Sequence, residues 1–72
     1  MEEMILNVLK RALEVNEVDT TCSQQTCEAW DSMKHLNVVI ELEMETGFEF
    51  TPEEIAEMVS YEDIARIINT KK

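Results

Sequence analysis

Ser32 is the side chain with the most chemistry open to it. It lies in Trp30-Asp31-Ser32-Met33, directly after an acid, and the chain's one histidine, His35, follows three residues later. A hydroxyl in that setting has three readings. It can open a helix and do nothing more. It can serve as a hydrolase nucleophile; His35 is one helical turn away, but no third group is placed to orient the imidazole, and little chain is left to build a pocket. It can accept a phosphate-linked prosthetic arm, since the positive end of a helix favours a negative phosphodiester and unpaired backbone amides there meet its oxygens. A hydroxyl at a loop–helix junction is also within reach of a modifying enzyme. The two thiols, Cys22 and Cys27, form a Cys-x4-Cys pair. With His35 they fall short of the four ligands of a structural zinc site, and a disulfide between them is the other alternative to two reduced thiols.

The element that must position Ser32 is a helix running from Asp31-Ser32 to about Glu45. Asp31 is suited to cap it by accepting a first-turn amide. At ~100° per residue, Ser32, Leu36, Ile40 and Glu43 share one meridian, with Met33 and Met44 beside it. Val38, Val39 and Leu42 form a second apolar meridian, and Lys34, Asn37, Glu41 and Glu45 fill the polar gap between the two. One apolar stripe joins a helix to a core, so a second stripe predicts contact with something outside the domain. Val38, Val39 and Leu42 are expected inside; Met33, Leu36, Ile40 and Met44 are expected to surround an exposed Ser32.

Around it, Met4, Ile5, Val8, Leu9, Ala12 and Leu13 recur at helical spacing and predict a first helix from about Glu2 to Val15. Asn16 to Ala29 is a long polar loop with Val18 its clearest apolar anchor, and a loop of this length usually has a purpose. Trp30 ends it, either covering the core edge or bordering a partner or bound group. After Thr46, Gly47 is a site for positive φ, and Phe48 and Phe50 form a short extended link that turns two rings inward. Thr51-Pro52-Glu53-Glu54 combines a Thr cap, Pro at the first helical position and Glu three residues past the cap. The short third helix that follows is expected to carry Ile55, Met58 and Val59. Ser60 caps again with Asp63, and Tyr61, Ile64, Ile67 and Ile68 form the buried side of a last helix. Asn69 to Lys72 reads as a fraying basic tail.

The 72 residues make one domain (1–72), too short for an enclosed catalytic cavity. One Gly and one Pro argue against a turn-rich β sandwich, leaving an all-α class. Sixteen acids against six bases give a formal charge of -10, which disfavours nucleic acid and anionic membranes as partners and suits a basic protein. Solubility is the alternative reason for that charge. There is no apolar run of signal-peptide or membrane-spanning length, so a cytoplasmic monomer with reduced thiols is expected.

Asp31-Ser32-Met33, followed by Leu36, Val38, Val39, Ile40, Leu42, Glu43 and Glu45, resembles the acyl carrier protein family, whose signature is Asp-Ser-Leu opening its second helix. The resemblance extends to the order of elements and is most specific from Trp30 to Ile68. It implies a small four-helix bundle of acyl-carrier type, with three main helices, a short third helix and a long first loop. It also implies a non-catalytic carrier with 4'-phosphopantetheine joined to Ser32 beside Asp31, bearing an acyl or aminoacyl thioester. Its partners would be a phosphopantetheinyl transferase and loading and transfer enzymes with basic docking patches. Met33, Leu36, Ile40, Glu41, Glu43, Met44 and Glu45 match the family's docking helix.

Lys34 and His35 in the first turn, Trp30 where fatty-acid carriers usually have Gly, and Thr46 in place of a frequent aromatic depart from the fatty-acid type. Trp30-Asp31-Ser32 with His35-Leu36 following resembles discrete carriers of specialised pathways. His35 reads as an imidazole packed near the loop, or as a pH-sensitive contact with the arm or partner. The rival from another class is an unmodified acidic interaction module occupying a basic site on an enzyme.

Overall fold

The computed structural model describes residues 2–71, which form α1 (Glu2–Leu13), α2 (Ser32–Thr46), α3 (Pro52–Glu57) and α4 (Tyr61–Lys71). This is the expected all-α bundle, with a short third helix and a long first loop.

Helix α1 has Glu2 and Glu3 in its first turn and Lys10 and Arg11 in its last, so both ends complement the backbone dipole. It stops two residues before the predicted Val15. Glu14 takes a left-handed φ of 58°, and the Val15 N–H reaches back to the Lys10 carbonyl at 3.1 Å. That is the hydrogen-bond pattern of a Schellman stop, here without the usual glycine to announce it. Val15 then packs against the core from outside the helix.

Helix α2 ends as anticipated. Gly47 has φ 74°, and its N–H donates to the Glu43 carbonyl at 2.9 Å. In α3, Thr51 Oγ1 accepts the Glu54 N–H at 3.2 Å while Glu54 Oε1 accepts the Thr51 N–H at 2.9 Å, a complete capping box. The helix is shorter than the sequence suggests. Met58 is its C-cap, and Val59 is exposed beyond it rather than on a buried helical face.

Helix α4 corrects another expectation. Asn69, Thr70 and Lys71 are helical, not a frayed tail; Lys72 lies outside the described residues. Lys71 Nζ pairs with Glu54 Oε1 at 2.9 Å and lies 5.6 Å from the centre of the Phe50 ring. These contacts stitch the last turn to α3 and to the α2–α3 link, and no local sequence signal marks them. Ser60 caps α4 as read, accepting the Asp63 N–H at 3.1 Å.

One continuous core joins Ile5, Val8, Leu9 and Leu13 of α1 to Val38, Val39 and Leu42 of α2 and Ile64, Ile67 and Ile68 of α4. Met58 closes it, fully buried, and Phe50 and Trp30 enter from the loops. The long loop is anchored more deeply by Cys22 than by Val18, which is only partly buried. It also finds a partner: the Gln24 N–H donates to the Val59 carbonyl at 2.8 Å and the Tyr61 N–H to the Cys22 carbonyl at 2.9 Å. This bridge ties the loop to the α3–α4 junction and so fixes the approach of the chain to Ser32. No helix among the described residues is long and apolar enough to cross a membrane.

Candidate functional site

Asp31 has extended backbone angles, and its Oδ1 accepts the Lys34 N–H at 2.9 Å, while its carbonyl accepts the His35 N–H at 2.8 Å. Ser32 is therefore the first residue of α2. Its side chain is exposed and enters no hydrogen bond within the described residues. The Ser32 and Met33 amides lie at the mouth of the helix, where backbone N–H groups lack intrahelical acceptors.

The two stripes separate as predicted. Val38 and Leu42 are fully buried and Val39 nearly so, whereas Met33 is 79% exposed, Leu36 60%, Ile40 54% and Met44 77%. These four hydrophobic residues flank Ser32 along α2 and have no cover. A groove of about 410 Å³ beside the serine is lined by Asp31, Met33, Lys34, Leu36, Asn37 and Ile40.

The acids of this face are arranged less simply. Arg11 of α1 reaches Glu41 at 3.2 Å and Glu45 at 3.0 Å, and the Glu41 hydrogen bond, with both charges, holds its guanidinium still more firmly protonated. Lys34 pairs with Glu14, whose carboxyl is held below its ordinary range chiefly by that hydrogen bond. Glu43 turns toward the α2–α3 link, where its Oε2 accepts the Phe50 N–H at 3.1 Å. These long-range pairings have no signature in local periodicity.

Trp30 is 3% exposed, so the indole covers the core edge. Its Nε1–H donates to His35 Nδ1 at 3.1 Å, and the two rings stack with centroids 6.1 Å apart. Because Nδ1 accepts, Nε2 carries the hydrogen and donates to the Ile55 carbonyl at 2.8 Å. Both imidazole nitrogens are thus engaged away from Ser32, and neither is available to take the serine proton. The hydrolase reading loses its base.

Cys22 and Cys27 are both free thiols, the first buried. Burial, with Cys27 alongside, pushes the Cys22 thiol up to about 12. Among the described residues no group of three His, Cys, Asp or Glu side chains comes together to hold a metal ion.

Among solved structures, the chain is similar to the solution structure of holo acyl carrier protein from Geobacter metallireducens, with a TM-score of 0.84 and 21% identity over 96% of this chain and 82% of that one. No protein-family profile and no curated protein sequence matches it. The chain has the acyl carrier protein fold.

Proposed function

We propose that this protein is an acyl or aminoacyl carrier, with 4'-phosphopantetheine attached through a phosphodiester to Ser32. The observation that carries the reading is the exposed, unbonded Ser32 hydroxyl at the first position of α2, within a fold shared with a holo acyl carrier protein. The residues fit the group. The helix mouth supplies partial positive charge and amides to the phosphate, and Asp31 holds that turn in shape by its bond to Lys34. When bound, the arm supplies a thiol that holds cargo as a thioester.

The protein's own part is presentation. Helix α2 offers Met33, Leu36, Ile40 and Met44 as an apolar strip, with Glu41, Glu43 and Glu45 on the same helix, to a phosphopantetheinyl transferase and to loading and transfer enzymes carrying basic patches. It performs no chemistry of its own. The Trp30 and His35 pair around the serine suits a discrete carrier of a specialised pathway, working as a monomer in the cytoplasm.

The test is incubation with coenzyme A and a broad-specificity phosphopantetheinyl transferase, read by intact mass. The wild-type chain gains one arm and Ser32→Ala gains none. A wild-type chain that gains nothing points to the rival, an unmodified acidic module that occupies a basic site on an enzyme. An arm on Ser32→Ala moves the attachment site elsewhere.

A further inference from the structure

His35 follows Ser32 by one turn of α2, and its imidazole spans from the loop to α3. On one side it accepts the Trp30 indole N–H at 3.1 Å; on the other it donates to the Ile55 carbonyl at 2.8 Å. The indole beneath it is 3% exposed. The core that α2, the α3 cap and α4 share beyond this chain of bonds is filled by Val38, Leu42, Met58 and Ile64, all fully buried.

An apolar chain tethered at Ser32 gains by leaving water, and the fold offers it two places. One is the interior, entered by parting α2 from α3. That route breaks the bond from His35 to the Ile55 carbonyl, the one of the two that crosses from α2 to α3. It leaves a part-buried imidazole N–H without a partner, the costly way to lose a hydrogen bond. The Trp30 bond, on the α2 side, holds the ring in place for it. The other is the open groove of Met33, Leu36 and Ile40. A long chain lying there would cover the strip that partner enzymes are proposed to touch.

We infer that Trp30, His35 and the Ile55 carbonyl form a bolt between α2 and α3 that shuts the interior to cargo. The protein therefore serves short or polar acyl and aminoacyl groups held in solvent, and excludes long hydrocarbon chains. This rests on the carrier reading and specifies its substrate class.

The experiment loads the full chain from acetyl-coenzyme A and, separately, octanoyl-coenzyme A with the broad-specificity transferase. Intact mass confirms each product, followed by ¹H–¹⁵N spectra and thermal unfolding. The bolt predicts that the Trp30 indole N–H and the amides of Val38, Met58 and Ile64 resonate alike in both forms, with the same Tm. Octanoyl-specific shifts of these signals, together with a raised Tm, would overturn the inference while leaving the carrier reading intact.

The same comparison in His35→Ala, with the bolt removed, is expected to show octanoyl-specific core shifts and a higher Tm. Two forms that still match in this variant would mean that His35 is not what closes the interior, and would also overturn the inference. Trp30→Phe, which keeps a ring but loses the donor, takes its place if His35→Ala does not fold, with the core amides as readout. If neither thioester is added to Ser32, the carrier reading falls and the inference falls with it.

Discussion

Glu43 Oε2 accepts the backbone N–H of Phe50 at 3.1 Å, so an acid on the Ser32 helix also clamps the link that follows that helix. Phe50 is buried and sits under Lys71, and the clamp therefore sets where the α2–α3 link enters the core. Glu43→Gln keeps an acceptor and is expected to unfold in urea close to wild type. Glu43→Lys loses it and is expected to cost about 1 kcal/mol. A loss of transfer in Glu43→Lys is thus expected to combine docking with stability.

Ile40 and Met44 give the cleaner test. Both are more than half exposed, so Ile40→Ala and Met44→Ala should stay within about 0.5 kcal/mol of wild type in urea unfolding. Transfer to a cognate enzyme should weaken by roughly tenfold, the effect of a moderate interface residue. Unchanged transfer kinetics in both variants would place the docking surface elsewhere.

Arg11 shields the same face from behind. Its bonds to Glu41 and Glu45 withhold part of the negative charge of α2 from any visitor. Arg11→Ala is expected to leave the unfolding midpoint nearly unchanged, since exposed ion pairs are screened. The association rate with a basic partner should rise, with a steeper fall on adding salt. Stopped-flow association at two ionic strengths reads both effects.

The two thiols should separate by reactivity. Cys22 is buried and its thiol is pushed up to about 12, first by burial and then by Cys27. Iodoacetamide at about pH 8 needs thiolate, so the folded protein should be alkylated at Cys27 and spared at Cys22 until denaturant is added. Peptide mapping by mass gives the order. Equal labelling of both in the native state would show that the bridge from Cys22 to Tyr61 opens readily.

Much of this architecture is legible in the chain because its signals are local. The spacing from Ile5 to Leu13 and from Ile64 to Ile68, Asp31 before Ser32, Gly47 after α2 and the Thr51 box each lie within a few residues of the feature they specify. What escapes is specified from afar. Lys71 stays helical because Glu54 and Phe50 wait for it. Arg11 finds acids on another helix, and Glu14 ends α1 in a conformation that its own residue type does not advertise. At the candidate site the two stripes were readable, because period alone divides them. The packing of His35 near the loop is equally local, with Trp30 five residues away, but nothing near it in sequence names the Ile55 carbonyl.

Trp30 is the chain's one tryptophan, it stands two residues before Ser32, and its ring nitrogen is held by an imidazole. The protein thus contains its own optical probe. Selective excitation of that indole yields emission from a single place in the molecule, at the root of the proposed attachment point. Any event that breaks the contact between that indole and His35 can be followed in real time by emission intensity and colour, with no dye and no label.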